Sequence, residues 1–266
     1  MTTCALLSRR STLLAAALAW PASWVRAADA FEGDPYKTHA WPQIRREVLG
    51  AKARVVFDGK VQVQGPSFAE DPMNVPISLR ADASLGPVEE IVVLVDRNPI
   101  RKVLSFYPQQ ALPSLSFRFK LEQGSPVRAF ARTRDGLWHG GGTWVDSTGG
   151  GCTVSGATRK DGSWSLTLGE VSGKMFSTPP GGTAAARLRL KIMHPMDTGL
   201  VGGVPAFYVN RLSVRDAQDG ELARVQAFEP VSENPVFSFD FATPPAGGVR
   251  IVGTDNNGNR IDTKLP

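Results

Sequence analysis

The sequence predicts an all-β protein: two β-sandwich domains joined by a Gly/Ser/Pro-rich connector, with one short helix near the N-terminus. Short alternating segments of strand length carry that prediction. Asp-Gly and Asn-Gly turns separate them, and no long stretch has helical periodicity. Hydrophobic residues make up 42% of the 266-residue chain. That is enough to build real cores and excludes a disordered chain.

The elements follow in order. Residues 31–42 read as mixed and extended. Pro42 to Leu49 reads as a short helix, with Pro42 in its first turn and Trp41, Ile44 and Val48 on one side. Arg54-Val55-Val56-Phe57 and Val61-Gln62-Val63 flank Asp58-Gly59, which reads as the turn of a hairpin between them. Val75 to Leu79 alternates as a half-buried strand does, and Ile91 to Val95 is a continuous apolar run suited to a central strand. Leu115 to Leu121 alternates strictly. Val127 to Thr133 and Leu137 to Val145 surround Asp135-Gly136.

Between Ser147 and Thr183 the composition shifts to Gly, Ser and Thr, with Pro179-Pro180-Gly181-Gly182 near its end. This stretch reads as a connector, with a hairpin around Asp161-Gly162 and Trp164 to Leu168 as its one strand candidate. Strand grammar resumes at Arg187 to Ile192 and continues through Val209 to Val214 and Phe237 to Phe241. Turns at Asp219-Gly220 and Asn256-Asn257-Gly258 separate the later strands.

The N-terminus reads as a cleaved twin-arginine-type signal peptide. Arg9-Arg10 precedes a modest apolar run, Leu13 to Trp20, and small-residue cleavage patterns end at Ala27 and Ala30. The run is too short to span a bilayer, so no membrane span is expected. Export implies a periplasmic location. Loss of residues 1–27 removes three arginines and no acid, so the formal charge falls from +5 to +2. No Lys/Arg block of nucleic-acid-binding length remains, so no nucleic-acid partner is expected.

Of the two cysteines, Cys4 lies in the signal and leaves Cys152 as the single thiol of the mature chain. A leftover cysteine in an exported protein points to a reactive thiol or to pairing with another molecule. It follows Gly149, Gly150 and Gly151, which read as a flexible, exposed arm presenting the sulfur. The competing reading is a buried cysteine acting as a small hydrophobe, although its neighbours form no apolar strand pattern. No charged residue stands nearer in sequence than Asp146 or Arg159, so nothing argues for a strongly lowered thiol pKa.

A Cys–His dyad would draw on His139, the nearest in sequence of the three histidines, but a nucleophile on a glycine tether lacks the fixed geometry catalysis needs. Blue-copper sites keep several ligands close on one loop, whereas Met175, His194 and Met196 lie far from Cys152. No catalytic residue, no metal site and no cofactor are therefore assigned.

Two sets of residues resemble known sulfur-oxidation subunits. The N-terminal half is similar to SoxY through Val75-Pro76-Ile77, Val88 to Val95, Asn98-Pro99, Val103 to Phe106 and Gly149-Gly150-Gly151-Cys152. The C-terminal half is similar to SoxZ through His194-Pro195-Met196-Asp197-Thr198-Gly199, Val204 to Tyr208, Ser232-Glu233-Asn234-Pro235 and Asp255-Asn256-Asn257-Gly258. The fused order resembles the quinoprotein dehydrogenase-associated SoxYZ-like carriers.

The resemblance implies two immunoglobulin-like sandwiches: a SoxY-like domain over 40–152, a connector over 153–182 and a SoxZ-like domain over 183–266. It implies a non-enzymatic periplasmic carrier that holds a sulfur-containing or other thiol-reactive intermediate on Cys152. Its partners would be periplasmic sulfur-oxidation enzymes, or enzymes of quinoprotein dehydrogenase or cytochrome type, with a covalently bound small cargo. The alternative is an accessory binding protein of a quinoprotein dehydrogenase or redox system in which Cys152 carries nothing. In SoxY the arm ends the chain, whereas here Thr153-Val154 follow the cysteine.

Overall fold

Alternation of apolar and polar residues builds the smaller of two sheets. In Val75–Ala81 (β4) and Ala186–Ile192 (β11) every second side chain is buried and the others face solvent. The computed structural model describes Thr2 and residues 31–160, 162–178 and 183–266. The signal segment, Cys4, Asp161 and Pro179 to Gly182 lie outside the described residues.

The smaller sheet also contains Val61–Gln64 (β2), Ser114–Phe119 (β7), Val171–Ser177 (β10) and Val236–Phe241 (β14), in the order β10-β11-β14-β7-β4-β2. The larger sheet is built from nine strands in line. Its N-terminal members are Arg54–Val56 (β1), Val88–Val95 (β5), Lys102–Tyr107 (β6), Ser125–Thr133 (β8) and Leu137–Ser147 (β9). Its C-terminal members are Val209–Arg215 (β12), Glu221–Ala227 (β13), Val249–Asp255 (β15) and Arg260–Leu265 (β16). The order is β1-β9-β8-β5-β6-β13-β12-β15-β16, and Phe68–Ala69 (β3) adds to β9 in parallel.

The all-β, two-sandwich architecture is thus as expected, and tertiary structure adds one feature. The halves share both sheets: β6 pairs with β13 and β7 with β14, each antiparallel. One apolar core accordingly runs through the molecule, from Ile77 and Phe119 to Phe239 and Ile251. Along 153–182, expected as a connector, the structure adds a strand at a different place. β10 pairs with β11 through seven residue pairs, Val171↔Ile192 to Ser177↔Ala186. Ser163–Leu166 forms a 3₁₀ turn where a strand was expected.

The expected helix is Trp41–Val48 (α1), with Pro42 in its first turn. It packs on the outer side of the larger sheet, where Trp41 and Ile44 meet Val92, Leu94, Phe130 and Trp138. The Trp41 and Phe130 rings stack at 4.9 Å. β5 is therefore covered on both sides, which explains its unbroken apolar run. Arg128 fixes the segment before α1: it bonds Asp34 through Nε (3.1 Å) and Nη2 (2.7 Å) and also pairs with Asp96, all three side chains being buried. Removing one partner from a buried cluster of this kind costs about 3–5 kcal/mol.

Candidate functional site

Cys152 ends a turn that follows β9, and it packs against the chain leaving β7. The glycines before it do not form an exposed arm. Gly149 and Gly150 adopt φ of +99° and +85°, a region closed to most side chains, and they bend the chain inward. A Cβ on Gly151 would lie 2.5 Å from the Leu121 carbonyl oxygen, 2.6 Å from its nitrogen, and closer still to the Pro72 carbonyl oxygen. Glycine is needed here for close backbone approach, and the expectation of a flexible, exposed arm at Gly149, Gly150 and Gly151 is corrected accordingly.

The cysteine itself is 1% exposed. Its Sγ lies 3.7 Å from the Lys120 carbonyl oxygen, and its amide donates to Glu122 Oε2 at 2.8 Å. Glu122 Oε1 accepts from the Thr153 hydroxyl at 2.9 Å, so one carboxylate clamps both sides of the residue. Asn98 orients that loop, donating to the Lys120 carbonyl (2.7 Å) and accepting from the Glu122 amide (2.8 Å). Burial, and then the Glu122 charge, push the thiol up to about 12, with Lys120 partly opposing them. The closed site thus holds a protonated, unreactive thiol.

The C-terminal half closes the other side. Thr198 Oγ1 donates to the Cys152 carbonyl at 2.7 Å, and the buried Lys120 ammonium donates to the Met196 carbonyl. Burial lowers the Lys120 pKa, with the Cys152, Asp197 and Glu233 charges opposing. Beyond the cysteine, Glu233 accepts from the Ala157 and Thr158 amides (3.3 and 3.0 Å), and Asn234 donates to the Thr158 hydroxyl (3.0 Å). Arg159 bonds Asp197 at 2.7 Å through Nε and lies 4.6 Å over the Trp164 ring. The stretches 194–199 and 232–235, far apart in sequence, therefore meet around the cysteine and the segment after it.

The histidines do other work. His139 Nδ1 lies 2.8 Å from Asp58 Oδ2. His194 Nδ1 accepts the Met196 amide at 3.1 Å, which places the proton of the neutral ring on Nε2, 3.5 Å from an Asp255 oxygen and without a hydrogen-bond partner. Burial drives its pKa down to about 4 against the opposing pull of Asp255. Among the described residues, no group of three or more His, Cys, Asp or Glu could hold a metal ion.

Residues 45–152 match the family model of the sulfur oxidation protein SoxY, and residues 180–266 match that of the sulphur oxidation protein SoxZ. The chain is a fused SoxYZ-like protein. The two matches place it broadly among sulfur-oxidation carrier proteins, and the SoxY match ends on Cys152. No curated protein matches the sequence. Among solved structures, the sulfur carrier protein SoxY from Chlorobium limicola f thiosulfatophilum is similar over 41% of this chain and 96% of that one, at 17% identity and a TM-score of 0.35.

Sequence reasoning located the cysteine of the fused SoxYZ-like protein but missed Lys120, Glu122 and Thr198. Asn98 and Thr198 lie in stretches that carried the resemblance, yet their contacts join residues 22 to 46 positions apart. Lys120 and Glu122 carried one available signal. Two charged residues extend the strictly alternating strand at its end, and one of them is buried.

Proposed function

We propose that the fused SoxYZ-like protein is a non-enzymatic periplasmic carrier that holds a sulfur-containing intermediate on Cys152 while separate enzymes act on it. The observation that carries this reading is the coincidence of the end of the SoxY match with the single described cysteine. A thiol forms disulfide-type bonds that a second protein can reverse, the chemistry a reloadable carrier requires. In the closed arrangement the sulfur is sequestered, so loading requires the turn from Ser147 to Thr153 to lift from Leu121 and Glu122. Export by the N-terminal signal and partner enzymes of sulfur-oxidation or quinoprotein dehydrogenase type belong to this same reading. Among the described residues no helix is long and apolar enough to cross a membrane.

The burial of Cys152 favours a second reading, an accessory protein in which the thiol is structural. Intact mass spectrometry of the protein purified from its host separates the two. A reductant-sensitive added mass on Cys152, absent from Cys152→Ser, is expected for the carrier. A thiol that stays bare under conditions where the host oxidises sulfur compounds would establish the accessory reading instead.

A further inference from the structure

The outward side of the smaller sheet carries an unbalanced set of charges. Arg80, Arg118, Arg187, Arg189, Lys191 and Lys174 all occupy solvent-facing positions on β4, β7, β11 and β10. The one carboxylate in that sheet's outward rows is Asp240, already held by Arg187 at 2.7 and 3.0 Å. Among the described residues the other five cations make no ion pair. On the larger sheet Arg132, Arg215, Arg224 and Arg250 each meet a carboxylate, while Arg211, Arg260 and Lys264, unpaired among the described residues, are confined to β12 and the edge strand β16. A face kept merely soluble intersperses both signs. Edge protection explains Lys174 on the terminal strand β10, but β4, β7 and β11 are interior strands.

The floor between the cations is made of small side chains, three serines with Pro76 and Val236 beside them. Arg189 stands in register with Ser238, Ser116 and Ser78 across four strands, and the last two hydroxyls lie 2.9 Å apart. Arg118, Arg187, Arg189 and these serines line a shallow groove of about 220 Å³. Five strands spaced about 4.8 Å spread the positive charge over roughly 19 Å. The position of the face is also informative. β7 leads into Lys120 and Leu121, against which Cys152 packs; β4 follows Pro72; β14 follows Ser232 and Glu233; and β11 leads into His194. Cys152 therefore sits at one end of this sheet, and Arg118 and Lys191 are the cations nearest that end.

We propose that this face is the docking surface for an acidic protein partner. Charge complementarity on such a face raises encounter rates and sets orientation. A small oxyanion in the groove would engage only Arg118, Arg189 and Arg187, the last already held by Asp240, and would leave Arg80, Lys174 and Lys191 without a role. Single-stranded nucleic-acid surfaces interleave aromatic rings for stacking, and surface membrane binders present an apolar side; here Phe176 alone stands at the rim, 44% exposed. That the docked partner is the one that loads Cys152 rests on the carrier reading.

The test uses the full mature chain with Arg118→Glu/Arg189→Glu, against a control pair on the helix side, Arg46→Glu/Lys52→Glu. The probe is a poly-L-glutamate of about twenty residues, followed by calorimetry and by backbone amide shifts. Wild type and control are expected to bind alike, with shifts on β4, β7, β14 and β11, and the face variant at least about ten-fold more weakly. Equal affinity of the two variants, or shifts confined elsewhere, would overturn the proposal. So would saturation of the same amides by millimolar sulfate, or equally tight binding to phosphatidylglycerol vesicles or oligo-dT. In protein purified from the host, the adduct fraction on Cys152 is expected to fall about ten-fold or more in the face variant alone. An unchanged fraction would show that the loading partner docks elsewhere. If wild type itself carries no adduct, the carrier reading fails, and the face stands or falls on the poly-glutamate binding.

Discussion

Replacing Glu122 by Ala should unlock the Cys152 thiol. At pH 8 a thiol with a pKa of about 12 is ionised in about one molecule in ten thousand, against about a quarter for an ordinary cysteine. Attack on the closed state is therefore slowed about two-thousand-fold, and labelling proceeds through a transiently lifted turn whenever opening costs less than about 4–5 kcal/mol. Glu122 holds that turn with two bonds, to the Cys152 amide and the Thr153 hydroxyl. A hydrogen bond to a charged group contributes about 1.5–3 kcal/mol and the exposed one less, so their joint loss should favour opening by about 2 kcal/mol.

That corresponds to labelling by an aromatic disulfide reagent about thirty-fold faster in the variant, with Glu122→Gln intermediate because its amide oxygen still accepts one bond. The rate is followed at 412 nm under native conditions, with the unfolded proteins as the reference for one thiol each. The pH profile reports the route. Reaction through opening levels off above about pH 9, whereas direct attack keeps rising towards pH 12. A change of less than about three-fold, or slower labelling, would refute the clamp assigned to Glu122.

Two further outcomes follow from the same geometry. Gly151→Ala should lower stability by about 2–4 kcal/mol in urea, because the added methyl strikes backbone atoms that cannot rotate away and presses on the Leu121 amide to Pro72 carbonyl bond; a loss below about 0.5 kcal/mol would show that the turn is loose. His194 is held at a pKa of about 4, below its unfolded value of about 6.5. The unfolded chain thus binds the proton first as pH falls, and stability should drop by about 3 kcal/mol between pH 6.5 and 4. His194→Asn, which keeps an acceptor for the Met196 amide, should flatten that part of the profile, and an unchanged slope would refute the assignment.

Local pattern in the sequence settled the class of fold, most of the strands and the identity of the thiol. Period-two patterns such as Arg187 to Ile192 leave little freedom about which face is buried, and Asp135-Gly136 marks the β8–β9 hairpin through local conformational preference. The hairpin expected at Asp58-Gly59 does not form, because β1 pairs with β9 and β2 with β4, in different sheets. A single cysteine is countable. Tertiary structure decided everything that depends on residues meeting from a distance. Pairing of β6 with β13 and of β7 with β14 merged two predicted sandwiches into two shared sheets, and edge pairing of this kind leaves no local signature. β10 leaves no strand pattern in the sequence because Ser172, Gly173 and Lys174 have weak strand preference; its place comes from the edge that β11 offers. The triple glycine misled for the same reason. Glycine serves equally a mobile tether and a backbone packed too closely for any side chain, and only the positions of Pro72, Leu121 and Glu122 choose between them.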